Sequence, residues 1–93
     1  EAEQKIRMQV LNSYYALAAA FEELEAARKE LQSAKRAYDL IRKKYREGQA
    51  SLLQLLDART TLTDASTGRI ITRSEYFIAL ADFENAMGKS FNR

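Results

Sequence analysis

The sequence has no cysteine, no histidine, no proline and no tryptophan, and only three glycines among 93 residues. Without cysteine there is no disulfide and no thiol nucleophile; without histidine there is no imidazole base, and an ordinary structural zinc site loses both its usual ligands. The lack of cysteine does not assign a compartment, because periplasmic and cytosolic chains alike do without it. Charge of one sign is also scarce: fifteen Lys and Arg against thirteen Asp and Glu leave a net +2. A balance so near neutral demands no nucleic-acid or anionic-membrane partner. The longest apolar run, Tyr14 to Phe21, is eight residues, far short of the roughly 20 that a spanning helix needs. An enzyme is therefore the weakest class, and no catalytic residue, cofactor or metal site is expected.

What is present favours helix. Ala, Leu, Glu, Arg, Lys and Gln dominate, and all are good helix formers; strand-like alternation is nowhere sustained. Alternating steps of four and three from Ile6 land on Val10, Ser13, Leu17, Ala20, Leu24, Ala27, Leu31, Ala34, Tyr38, Ile41 and Tyr45. That is a heptad seam without a slip. One column is large and the other small, with Ser13, Ala20, Ala27 and Ala34 in the second. A later segment repeats the design, with Leu55, Leu62, Tyr76 and Phe83 in one column. Its other column holds Ala58, Ala65, Thr72, Ala79 and Ala86, and Arg69 interrupts the large one. Large residues facing small ones let two helices approach toward the short end of the usual range of about 8–10 Å.

The junction between the segments reads residue by residue. Arg42, Lys43, Lys44 and Arg46 put positive charge where a helix C-terminus favours it. Gly48 is available for the left-handed conformation that follows a helix end. Ser51 precedes Leu52, Leu53 and Gln54, a capping box of the Ser-x-x-Gln form. The spacing predicts a helix over about 2–46, a turn over about 47–50 and a helix over about 51–88, closed by Gly88. With so short a turn the helices must be antiparallel neighbours. The first would be about 65–70 Å long at 1.5 Å per residue. The expected fold is all-α, a long antiparallel two-helix coiled-coil hairpin. Gly68, inside the second helix, marks either close packing or a soft spot costing about 1 kcal/mol relative to Ala.

Two helices bury one seam, and this sequence carries more apolar residues than that. Leu11, Tyr14, Ala18 and Phe21 form a second set on the first helix, and Leu53, Leu56, Ile70, Phe77 and Ala81 on the second. An apolar face of that extent marks a partner surface. A four-helix bundle made by dimerisation would cover it, and so would a ring in which every helix touches neighbours on both sides. The periodicity alone does not choose between them.

At the turn the sequence becomes recognisable. The run Tyr45-Arg46-Glu47-Gly48-Gln49-Ala50-Ser51-Leu52-Leu53-Gln54-Leu55-Leu56-Asp57-Ala58-Arg59 resembles the signature of TolC-type outer-membrane efflux proteins. There a Tyr, a Gly and a Ser lead into Leu-Leu-Asp-Ala followed by Arg or Gln. Glu3 to Leu17 looks like the start of that family's long helix. Ala79, Phe83, Ala86 and Gly88 look like its closing segment, and the Leu-Leu-Asp-Ala form looks like the second of its two internal repeats. The resemblance implies a homotrimer with a β-barrel in the outer membrane and a twelve-helix α-barrel crossing the periplasm of a Gram-negative cell. This chain, lacking barrel strands, would be a periplasmic hairpin of such a protein, self-associating when isolated. Its function would be passive, a conduit for export served by a periplasmic adaptor protein and an inner-membrane pump.

The same resemblance assigns roles at the tip. Tyr45, Gly48, Gln49, Ala50 and Ser51 would face the docked adaptor. Asp57 matches an aspartate that lines the lumen and repeats by symmetry as a ring of three carboxylates, which would favour cations at a constriction. Gln54 stands where some members carry another acid, so it reads either as part of that constriction or as a cap partner. Ala50 stands where some members place an arginine that locks a closed tip, and Tyr45 is at least as well explained by seam packing. The basic run Arg42–Arg46 reads as a solvated helix face, not a nucleic-acid patch. Asp39–Lys43, Glu1–Lys5, Glu3–Arg7 and Glu25–Lys29 are candidate i,i+4 pairs. The rival readings are the adaptor's own hairpin, whose Arg-Leu-Ser tip pattern is not matched around Gly48, and a coiled-coil spacer with no transport role.

Overall fold

The computed structural model describes residues 2–91. They form two helices, α1 (Ala2–Arg46) and α2 (Leu52–Phe91), joined by a five-residue turn. The chain is an all-α two-helix hairpin. No strand occurs among the described residues. α2 does not stop at Gly88 as the sequence suggested but continues to Phe91. Gly88 lacks a positive φ, which among the glycines only Gly48 adopts. No proline follows to end the hydrogen-bond ladder, so a single interior glycine is tolerated at a cost of about 1 kcal/mol.

The seam counted from the sequence is the buried face. From Ile6 to Ile41 every seam residue of α1 is buried or half-buried, as are Leu55, Ala58, Leu62, Ala65, Thr72, Tyr76, Ala79, Phe83 and Ala86 of α2. Tyr45 departs from it and is 39 % exposed, because packing across the seam runs out before the turn. Among the described residues the buried hydrophobic side chains are all alanines, Ala20, Ala27, Ala34, Ala65 and Ala86, each 6–9 % exposed. The small column forms the floor of the interface and the large column leans over its edges.

Contacts divide the chain into two units, one of Glu1–Leu24 with Thr72–Arg93 and the other of Glu25–Ile71. In the first, Tyr14 meets Phe83 with ring centroids 6.2 Å apart, and Phe21 meets Tyr76 at 6.1 Å. A step of seven forward on α1 is thus matched by a step of seven backward on α2, the mark of an antiparallel heptad register. These tilted ring pairs add about 0.5–1.5 kcal/mol each beyond area burial. Tyr14 also packs edge-on to Tyr15, and Tyr76 to Phe77, whose ring lies 5.6 Å from the Arg73 guanidinium. Ser13, a polar member of the seam, donates from its hydroxyl to the Val10 carbonyl at 3.0 Å, so its half-buried oxygen is satisfied within the helix.

The second unit contains the turn and the buried Ala27, Ala34 and Ala65. Its charge pairing differs from the i,i+4 expectation. Glu25 bonds Arg28 at 3.2 Å, three residues on, rather than Lys29. No ion pair joins Asp39 to Lys43. Exposed pairs of this kind contribute little, so rotamer freedom decides between them. Glu1 of the expected Glu1–Lys5 pair lies outside the described residues. At Gly68 an added Cβ would meet nothing of this chain within 4 Å, so close packing of α1 on α2 is not what the glycine serves. Gly68→Ala should therefore raise stability by about 1 kcal/mol, some 4–8 °C in Tm for a chain of this size. A lowered Tm on thermal denaturation followed by circular dichroism would contradict this.

Candidate functional site: the hairpin tip

The tip is built from two helix ends placed back to back. At the end of α1 the Gln49 N–H donates to the Lys44 carbonyl at 2.7 Å, and the Gly48 N–H to the Tyr45 carbonyl at 3.1 Å. With Gly48 at φ +75°, these two bonds make a Schellman motif with glycine in the left-handed position. Lys43, Lys44 and Arg46 occupy the last turn, where cations oppose the negative end of the helix dipole. At the start of α2 the capping box is reciprocal. The Gln54 N–H donates to Ser51 Oγ at 3.1 Å, and the Ser51 N–H donates to Gln54 Oε1 at 2.8 Å. The Ser51 carbonyl accepts the first helical bond from Leu55 at 3.1 Å. Orphan backbone groups at both helix ends thereby find partners within the chain.

This geometry gathers some of the sequence-picked residues and separates others. Ser51 and Gln54 are bonded to each other, while Gly48, Gln49 and the Tyr45 carbonyl share the Schellman turn. Ala50 is half-buried between the two caps. Gln54 spends its side-chain carbonyl on the cap, which leaves Asp57 as the acid in the first turns of α2. Asp57 is exposed and makes no hydrogen bond or ion pair among the described residues. Arg59 sits two positions later, about 200° around the helix, so the two charges point away from one another.

The tip and the helix faces also present apolar side chains to the outside. Leu52 is 54 % exposed, Leu53 68 % and Leu56 49 %, while Leu11, Tyr14, Phe21, Ile70 and Phe77 are exposed as well. The second apolar set is thus unburied by this chain alone. It is also larger than the sequence reading had it: Met8, Tyr15, Leu40, Ile71 and Ile78 are exposed too. Met8–Tyr15 and Ile71–Ile78 are each seven residues apart, so the heptad count that found the seam finds them when started elsewhere.

Residues 1–89 match the family described as outer membrane efflux protein. No curated protein and no solved structure matches the chain. The chain belongs to the outer membrane efflux protein family, as the Gly48-to-Asp57 stretch suggested, and its members are channels rather than enzymes. Family membership sets aside the adaptor-hairpin and spacer readings. Among the described residues no helix is long and apolar enough to cross a membrane.

Two substitutions test the tip. Gly48→Val should cost about 1–3 kcal/mol, because a β-branched residue is strained at positive φ, although its Cβ would meet open space. Gly48→Asn should cost less, since Asn tolerates that region. Ser51→Ala should cost about 1 kcal/mol, and Gln54→Ala should add little to it. Equal stability of Gly48→Val and wild type in urea denaturation would contradict the turn as drawn.

Proposed function

We propose that this chain is a segment of the periplasmic tunnel of an outer-membrane efflux channel, with the Gly48 turn at its inner end, where a periplasmic adaptor of a tripartite pump docks. The observation that carries the reading is the doubly capped turn leading directly into Leu55-Leu56-Asp57-Ala58, in a chain matched by the efflux family over residues 1–89. A docking tip needs a fixed shape, because ordering a loose loop on contact would subtract from affinity. Tyr45, Gly48, Gln49, Ala50 and Ser51 offer such a shape. The exposed leucines beside them offer the apolar contact that interface cores use.

The intact protein is a homotrimer in this reading, and Asp57 repeats around its axis as three carboxylates that narrow and charge the lumen in favour of cations. The apolar faces left exposed here lie against neighbouring hairpins of the α-barrel. An isolated hairpin covers them by self-association instead. An inner-membrane pump supplies energy and cargo, and this segment supplies the passage.

Native cysteine is absent from these 93 residues, so an introduced thiol is the hairpin's single one. One cysteine is placed at Ala50 in the full-length efflux protein and another at the tip of the candidate adaptor, with Glu25→Cys as the control position. Disulfide formation at position 50 and not at 25 is the expected result. Both proteins expressed and no cross-link at position 50 would overturn the docking assignment.

A further inference from the structure

Within the unit of Glu25–Ile71 the two helices are made of very different material. Over residues 60–71 of α2, nine of the twelve residues are weak helix formers: Thr at 60, 61, 63 and 67, Asp64, Ser66, Gly68, Ile70 and Ile71. All of them rank below Ala, Leu, Lys, Arg, Glu and Gln in helix propensity. Equal steps taken back from the turn set about residues 26–37 of α1 across from this segment. There every residue except Ser33 is Ala, Leu, Lys, Arg, Glu or Gln. A strong helix thus lies against a weak one.

The seam is thin at the same level. The large column of α2 runs Leu55, Leu62, Arg69 and Tyr76, so two heptads, about 21 Å of helix, separate the apolar members Leu62 and Tyr76. Arg69 is half-buried, and its stem alone offers apolar contact. Ala65 is the one buried side chain of residues 60–71, and seven of the twelve residues are exposed. Both ends of α2 are held better. The Ser51–Gln54 box fixes the start of the helix, and in the other unit Tyr76 and Phe83 pair with Phe21 and Tyr14. Weak propensity, few buried apolar contacts and an exposed backbone are what lets a segment open ahead of the rest of a fold.

We infer that residues 60–71 of α2 are a yielding segment that opens locally while α1 across from it stays helical. The hairpin is then one stiff strut and one strut with a compliant section, between the capped turn and the aromatic pairs. The opening follows from composition and packing alone. Its use rests on the reading of the turn as a docking tip: a load applied at the turn is taken up in α2, and α1 carries the tip's position.

Amide hydrogen exchange of the 93-residue chain, read by NMR or by mass spectrometry of short peptides at one fixed protein concentration, tests the inference. Amides 64–71 should exchange at least tenfold faster than amides 28–36 of α1 and 77–86 of α2. Combining Thr63→Ala, Thr67→Ala and Gly68→Ala should close most of that gap, because it strengthens the segment itself. Ser33→Ala on α1 should leave the gap open. A uniform rise in protection along the whole chain would mark the triple variant as a general stabiliser and overturn the proposal. Equal protection of the three segments in the unsubstituted chain would overturn it too, and so would a gap that the triple variant leaves unchanged. Cross-linking of the adaptor through position 50 reads docking separately, so a uniform exchange pattern removes the yielding segment and leaves the docking assignment standing.

Discussion

The architecture depends on one interaction, the interleaving of a large column with a small one along a single heptad seam. Alanine at positions 20, 27, 34, 65 and 86 makes a floor flat enough for the helices to lie together, and among the described residues these are the buried hydrophobic side chains. The same choice limits what the pair buries. Leu17, Leu24 and Leu31 remain half-covered, so each contributes a fraction of the roughly 1.5–3 kcal/mol that complete burial of a leucine gives. A hairpin built this way is incomplete in energetic terms. Its large side chains reach past the seam and end in contact with whatever stands beside it.

That incompleteness gives the exposed faces their meaning. Tyr14, Phe21 and Phe77 are each about half exposed, and aromatics of this size bury roughly 150–250 Å² apiece when covered. With the exposed Leu and Ile side chains they amount to an area of the order that stable interfaces use, above about 1,000 Å². In the proposed wall of neighbouring hairpins this surplus would become lateral cohesion. The turn plays the complementary part. Because the Schellman bonds and the Ser51–Gln54 box satisfy the helix ends internally, the tip holds its shape without a neighbour.

Much of this was legible in the sequence because both devices are local and periodic. The seam follows from steps of four and three, and the turn from Gly48 and the Ser51–Gln54 spacing. What was misread involved competition that a linear pattern does not weigh. Gly88 looked like a helix end, yet no proline stands between it and Phe91, and α2 runs to Phe91. Tyr45 fits the heptad count but sits where packing gives out near the turn. Glu25 was paired with Lys29 by spacing and bonds Arg28 in the structure, a choice between exposed cations that differ by tenths of a kcal/mol. The outward apolar set extends further, to Met8, Tyr15, Ile71 and Ile78; the last three adjoin other apolar residues, so a linear run does not tell which of them point outward. The family was readable in the Gly48–Asp57 stretch because glycine conformation, cap and acid occur there in a fixed order.

The central claim is that this hairpin is shaped to have neighbours on both sides and is not sufficient alone. Static light scattering of the 93-residue chain over a wide concentration range, with helicity and Tm measured on the same samples, tests it directly. The mass should rise above 10.6 kDa with concentration, and helicity and Tm should rise with it. A monomer of 10.6 kDa with full helicity and a concentration-independent Tm would contradict it.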